Sequence, residues 1–112
     1  MAIRSYVLTL NAAAQRLSSV LGDTEVGGPD DHGLRQIILA ADPANGNVVY
    51  LAGSNIGSEI SSTNHGFSLD PTQATAKDRE SIGPFDSGAV RLSDLWALGT
   101  NAQRLMITVV PF

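Results

Sequence analysis

The sequence predicts an all-β protein, a small antiparallel sandwich or barrel that forms a single domain over residues 1–112. Roughly six to eight short runs rich in β-branched and aromatic residues are separated by turn signals at intervals of about 8–15 residues. The sequence lacks the alternation of strands and long amphipathic helices that is typical of a doubly wound sheet. A length of 112 residues suits one domain, and an apolar fraction of 43% can supply one packed core.

The first third of the chain begins with a strand and ends in a loop. Residues 6–10 are β-branched and aromatic and predict the first strand. Residues 11–21 have apolar positions at helical spacing between Asn11 and Gly22, so one short helix and an extended segment are both open. Residues 22–33 are rich in Asp, Glu and Gly and predict a loop.

The strongest local signal is a pair of β-rich runs at residues 35–40 and 48–52. The dipeptide Asn45-Gly46 lies between them and favours a hairpin turn, since both residues tolerate a positive φ. The connection is longer than two residues, so we expect a wide hairpin.

The second half of the chain predicts more short strands. Residues 53–66 are mostly loop, with a short edge strand expected at 59–61, and residues 72–80 form a polar surface excursion. Strands are expected at residues 67–69, 81–85, 90–92, 95–98 and 104–110. Pro71 and Pro111 end two of these runs because proline cannot donate a ladder hydrogen bond.

The composition excludes several classes of protein. Only 16% of residues are charged and the net charge is −4, with Lys and Arg scattered along the chain, so no nucleic-acid partner is expected. There is no cysteine, which excludes disulfides and thiolate chemistry. No run approaches the roughly 20 apolar residues of a membrane helix, so no membrane partner is expected. The first six residues lack the apolar core of a signal peptide, and we expect synthesis in the cytoplasm.

No catalytic, cofactor-binding or metal-ligating residue is predicted, and we expect a protein that is not an enzyme and holds no cofactor. The dinucleotide and phosphate-loop motifs are absent from the sequence. Asp30, Asp31 and His32 are the one compact group of possible metal ligands, but acidic residues are ordinary in loops and no ligand spacing is completed. His65 lies in a turn-like tripeptide and completes no triad.

Tyr50 and Trp96 are each flanked by apolar residues. The general expectation for such rings is core packing or one wall of a subunit interface. The alternative is a ring on which a sugar stacks, which would make the chain a carbohydrate- or ligand-binding β-sandwich module.

The order of these motifs resembles small virion structural proteins of tailed bacteriophages. The shared pattern is a strand, an asparagine turn, a second strand, a Gly-to-Pro turn, a Trp-containing strand and a closing strand. In this chain it spans residues 35–110 and includes NGNVVYLAGS at 45–54, GFSLDP at 66–71 and VRLSDLWALGT at 90–100. Asp70-Pro71-Thr72 replaces the Pro-Gly turn of the pattern, and the stretch at 72–80 is longer, so we expect the outer loops to differ from the pattern more than the core does.

The resemblance implies a jelly-roll-like β-sandwich at the surface of a phage particle. The implied function is capsid decoration (cement), in which the protein binds between major capsid subunits and stabilises the shell. A tail, connector or head-fibre component of the virion is the alternative within this class. The implied partners are the major capsid protein and further copies of the chain, with a homotrimer favoured by the weakly charged surface and by the apolar carboxyl end at residues 109–112.

Overall fold

A computed structural model describes residues 3–21, 33–44, 46–74, 76–86 and 90–111. These residues form eight strands and short 3-10 helices. The strands are β1 Arg4–Thr9, β2 Gln15–Arg16, β3 Leu34–Ala41, β4 Val49–Gly53, β5 Phe67–Leu69, β6 Arg79–Ile82, β7 Leu95–Leu98 and β8 Arg104–Pro111. The 3-10 helices are Leu17–Leu21, Gly57–Glu59 and Leu92–Asp94.

The eight strands pair in a nested, antiparallel order. β1 pairs with β8, β2 with β7, β3 with β6 and β4 with β5, as in one long hairpin. The hairpin then rolls up, so that β8 also pairs with β3 and β7 also pairs with β4. The result is two four-stranded sheets, β1-β8-β3-β6 and β2-β7-β4-β5. Two antiparallel sheets with eight strands in this order are a jelly roll, which confirms the predicted fold class.

The core is aliphatic and lies between the two sheets. Alternation along each strand sends every second side chain inward, which leaves one buried and one outward face per sheet. The first sheet contributes Ile37, Leu39, Leu105 and Ile107 to the core, and the second sheet contributes Val49, Leu51, Leu69 and Ala97. Since all eight are at most 1% exposed, the inner faces of both sheets are fully used by packing.

The hairpin predicted for residues 35–40 and 48–52 is wrong. Both strands form, but β3 lies in the first sheet and β4 in the second. At the end of β3 the side chain of Asp42 accepts an ion pair from Arg104 at 2.7 Å and a hydrogen bond from the backbone N–H of Ala44. These contacts hold the end of β3 against β8, and the chain then crosses to the other sheet. The proposed turn residue Asn45 lies outside the described residues.

The segment at residues 11–21 is mostly not helical. The Asn11 side chain accepts a hydrogen bond from the N–H of Ala13 and forms a turn, and β2 follows. The short helix is present only at Leu17–Leu21, as a 3-10 helix. Leu10 and Leu17 point into the core, so the apolar spacing reflects burial by two different elements and not one α-helical face.

Other predicted elements are shifted or replaced. The edge strand expected at 59–61 is wrong: Gly57–Glu59 is a 3-10 helix, followed by a tight turn closed by an isolated bridge between Ser61 and Asn64. The strand expected at 81–85 lies at Arg79–Ile82 instead, because it pairs with β3, and it takes in the end of the predicted 72–80 excursion. Most of the loop predicted at 22–33 lies outside the described residues.

Shortening one core residue tests the predicted packing. We expect Ile107→Ala to lower the free energy of unfolding by about 2–5 kcal/mol, because a buried isoleucine leaves a cavity. The neighbouring outward residue gives the matched control: Met106→Ala is expected to cost less than about 1 kcal/mol. Urea unfolding followed by circular dichroism measures the free energy of unfolding of each variant. Equal losses for the two variants would contradict the assignment of inner and outer faces.

Candidate functional site

The outward side of the first sheet is a candidate binding surface, here called the first-sheet face. Strand alternation and register place its residues on one side of four neighbouring strands. It consists of Ser5, Val7 and Thr9 from β1, Met106, Thr108 and Val110 from β8, Gln36, Ile38 and Ala40 from β3, and Ser81 from β6.

The centre of the first-sheet face is apolar and open to solvent. Val7 lies directly opposite Met106, and Met106 lies opposite Ala40 on the next strand. Val7 is 50% exposed and Met106 is 38% exposed, and Ile3, which precedes β1, is 65% exposed. These are three of the four exposed large apolar side chains among the described residues. Isolated exposed apolar residues are ordinary on proteins, but a contiguous group marks an interaction surface.

The polar groups of the first-sheet face are mostly satisfied by one another. The hydroxyls of Ser5 and Thr108 lie 3.2 Å apart across β1 and β8, and Gln36 Nε2 donates to Ser81 Oγ at 2.6 Å. The charged residues at the margin are Arg79 and Arg104, each of which pairs with an aspartate, and Arg35, which is exposed at the irregular start of β3. Burying the centre of the face costs little hydration free energy, because the outward residues there carry no charge.

The outward side of the second sheet carries the aromatic residues singled out in the sequence. Tyr50 lies opposite Leu98, and Trp96 lies opposite Ala52 on one side and Arg16 on the other. Neither ring belongs to the core between the sheets, where the inward residues of the same strands are aliphatic. The expectation of core packing therefore does not describe these two side chains.

The Trp96 half of this side is covered by the chain itself. The Arg16 guanidinium lies 4.9 Å from the centroid of the Trp96 rings, a cation–π contact. The 3-10 helix at Gly57–Glu59 packs on the same strand, and a methyl group built at Gly57 would lie 3.8 Å from Trp96 Nε1. Trp96 is thus engaged by its neighbours, which weakens its candidacy as a sugar-stacking ring.

The Tyr50 half opens into a groove of about 590 Å³, here called the Tyr50 groove. It is lined by Ala12, Asn47, Val48, Tyr50, Leu98, Gly99 and Thr100. The imidazole of His65 packs 4.8 Å from the Tyr50 ring at an angle of 52°. His65 Nδ1 lies 3.1 Å from the carbonyl oxygen of Ser61 and must carry the hydrogen, because a carbonyl can only accept.

Gln103, which is 6% exposed, holds the two sides of the groove together. Its Nε2 donates to the carbonyl oxygen of Asn47 at 2.8 Å, and its Oε1 accepts from the N–H of Thr100 at 2.8 Å. Its backbone carbonyl accepts from the N–H of Leu10 at 2.7 Å. One buried amide therefore joins the end of β1, the turn before β8 and the segment that leads into β4. No local sequence pattern distinguishes Gln103 from a surface glutamine, so its burial was not predicted.

The remaining residues singled out in the sequence either lie outside the described residues or belong to the core. Asp30, Asp31 and His32 lie outside the described residues, and so does the carboxyl-terminal Phe112. Within the described ranges no group of three His, Cys, Asp or Glu side chains could hold a metal ion. Val109 of the apolar carboxyl end is buried in the core, so that residue serves folding.

Among the described residues, no helix has the length and apolar character needed to cross a bilayer.

Comparisons of this chain with protein-family models, with curated proteins and with solved structures give no match.

Removing the Gln103 side chain tests its structural role. We expect Gln103→Ala to lower the free energy of unfolding by about 1–2 kcal/mol, because the carbonyl of Asn47 and the N–H of Thr100 lose their hydrogen-bond partner at a partly buried site. Gln36→Ala is the matched control, since Gln36 makes its side-chain hydrogen bond at an exposed position and should cost less than about 0.5 kcal/mol. Thermal unfolding measures the loss of stability in both variants. A Gln103→Ala variant as stable as Gln36→Ala would refute the structural role of Gln103.

Proposed function

We propose that the chain is a structural protein of a tailed-bacteriophage particle, a capsid decoration protein that packs between major capsid subunits through the first-sheet face. The observation that carries this proposal is the exposed apolar centre of that face, formed by Val7 and Met106, with exposed Ile3 just before β1. The motif order along residues 35–110 and the jelly-roll fold support the same class of protein.

The first-sheet face suits a lasting contact with another protein. Four neighbouring strands present a broad surface, and its exposed residues are aliphatic side chains and short hydroxyls. Burying such a surface releases water from apolar groups without stranding a charge. The outward residues in the strand register include no acidic side chain, and three arginines, Arg35, Arg79 and Arg104, lie exposed on these strands towards the margin. The matching capsid surface is therefore expected to be apolar at its centre and neutral or acidic at its rim.

The jelly-roll fold supports the proposal together with the exposed first-sheet face. Double-sheet jelly rolls occur in viral capsid proteins, and they also occur in lectins and cupins, so the fold alone assigns no activity. Many identical copies on one shell would act together, and contacts that are individually weak then add to a large stabilisation of the particle. A non-enzymatic protein at the virion surface accounts for an apolar sheet face better than a catalytic role would.

We propose a homotrimer as the form that binds the capsid, on the basis of the low charge density of the chain. Multi-angle light scattering on the purified protein is expected to give three times the monomer mass of 11.7 kDa. A mass of 11.7 kDa at high concentration would contradict the trimer and leave capsid binding to be decided by particle assays.

A binding assay with particles tests the proposed surface. Particles of the phage that encodes the chain are prepared with the gene deleted, and purified protein is added back and sedimented with them. We expect the wild-type protein to sediment with the particles and to raise their resistance to heat. Met106→Glu is expected to weaken binding at least tenfold, because it places a charge at the centre of the apolar contact.

Ser62→Glu is the matched control, since it adds the same charge at an exposed turn of the other sheet. It is expected to bind like the wild-type protein. Equal binding by both variants would exclude the first-sheet face, and mass spectrometry of purified wild-type virions that detects no copy of the chain would refute the virion role. Binding to isolated tails and not to capsids would assign the chain to the alternative, a tail component.

A further inference from the structure

We propose that the Tyr50 groove is a binding site for a neutral saccharide, with the Tyr50 ring stacked on an apolar face of one sugar. The groove opens on the second sheet, and the first-sheet face lies on the other side of the sandwich. Both surfaces are therefore available at the same time. The proposed activity is separate from particle assembly and does not depend on it.

The groove has the dimensions of a small-molecule site. Its volume of about 590 Å³ falls within the range of roughly 300–1,000 Å³ that is usual for such sites. It is open on one side, so the end of a longer chain can enter it while the rest remains in solvent.

The lining residues match the chemistry of a sugar ring. A pyranose has a face of C–H groups and a rim of hydroxyls, so its site needs a flat apolar surface beside neutral hydrogen-bonding groups. Tyr50 and Leu98 lie opposite each other on β4 and β7 and supply the apolar surface. Asn47 and Thr100 supply a carboxamide and a hydroxyl at the end of the same strands.

The polar pair of the groove keeps capacity for a ligand. Asn47 Nδ2 donates to Thr100 Oγ1 at 3.3 Å, which places the carboxamide and the hydroxyl side by side. The Thr100 hydroxyl can still donate its own hydrogen, and the Asn47 Oδ1 atom can accept one. One donor and one acceptor side by side match two neighbouring hydroxyls of a sugar.

The absence of charge in the lining selects the class of ligand. Among the described residues, those that form the groove include no Lys, no Arg and no acidic side chain. A phosphate or carboxylate would lose its hydration there without gaining a cation. A neutral, hydroxyl-rich molecule loses only hydrogen bonds that Asn47 and Thr100 replace.

The groove is held in shape before a ligand arrives. Gln103 fixes the backbone at Asn47 and at Thr100. Gly99 lies so close to the Leu10 side chain that a Cβ atom at position 99 would collide with it. Glycine is therefore the residue that fits this side of the groove without a shift of Leu10. The contact with His65 restricts the Tyr50 ring. A preformed site loses little conformational entropy on binding, so a weak stacking contact is enough for measurable affinity.

Titration of the ¹⁵N-labelled protein with sugars tests the proposal. The probes are glucose, galactose, N-acetylglucosamine and lactose, and sorbitol serves as a polyol that has hydroxyls but no ring face. We expect at least one sugar to give saturable shifts of the amide signals of residues 47–50 and 98–100, with a Kd of about 1 mM or tighter. Sorbitol is expected to leave these signals unchanged.

Two variants and one control separate stacking from general effects. Tyr50→Ala is expected to weaken binding about tenfold, because the aromatic surface is lost. Asn47→Ala changes an exposed side chain, which keeps the protein folded, and is expected to weaken binding several-fold. Trp96→Phe is the matched control: Trp96 lies on the same side of the sheet, is not part of the groove, and its replacement should leave the affinity unchanged.

Several outcomes would overturn the proposal. No saturable shift with any of the four sugars excludes a saccharide site of this class. Equal shifts with sorbitol, or sugar-induced shifts that Tyr50→Ala and Asn47→Ala leave intact, exclude recognition in the groove. Saturable shifts with phenol but with none of the sugars would assign the groove to flat apolar ligands instead.

Discussion

The nested pairing of strands is the constraint on which the rest of this protein depends. Because β1 pairs with β8, β2 with β7 and β3 with β6, these six strands can be placed only after distant parts of the chain have met, and only β4 and β5 pair as neighbours in sequence. Rolling up this long hairpin puts β8 beside β3 and β7 beside β4 and encloses one aliphatic core. The core uses one face of each sheet, and the other face of each remains for function.

The two outward faces have different chemistry for a local reason. On the first sheet the outward residues are exposed aliphatic side chains and short hydroxyls, and no loop of the described chain is seen to fold over Val7 and Met106. On the second sheet the segment after β4 folds back, with Gly57 against Trp96 and His65 against Tyr50. The first-sheet face is therefore broad and apolar, as a protein contact requires. The outward side of the second sheet is partly covered, and the Tyr50 groove with its polar end is the part that stays open.

Polar contacts fix the ends of strands within and between the sheets. Asp42 joins the end of β3 to the start of β8 in the same sheet through Arg104, and Gln103 links the end of β1 to backbone beside β4 and β7 of the second sheet. Each of these contacts is short and partly or wholly screened from water, so the loss of one partner leaves the other unsatisfied. They fix the corners of the jelly roll, and the Tyr50 groove is built on one of those corners.

The sequence by itself determined the all-β class, the places of the main strands and the lack of a recognisable catalytic motif, since alternation and turn residues are local properties. It did not determine which strands pair: residues 35–40 and 48–52 look like a hairpin, yet β3 and β4 lie in different sheets. Only the tertiary structure decided that Tyr50 and not Trp96 lines a groove, and that Gln103 is buried. Those facts depend on contacts between residues far apart in the chain, which no pattern of neighbours encodes.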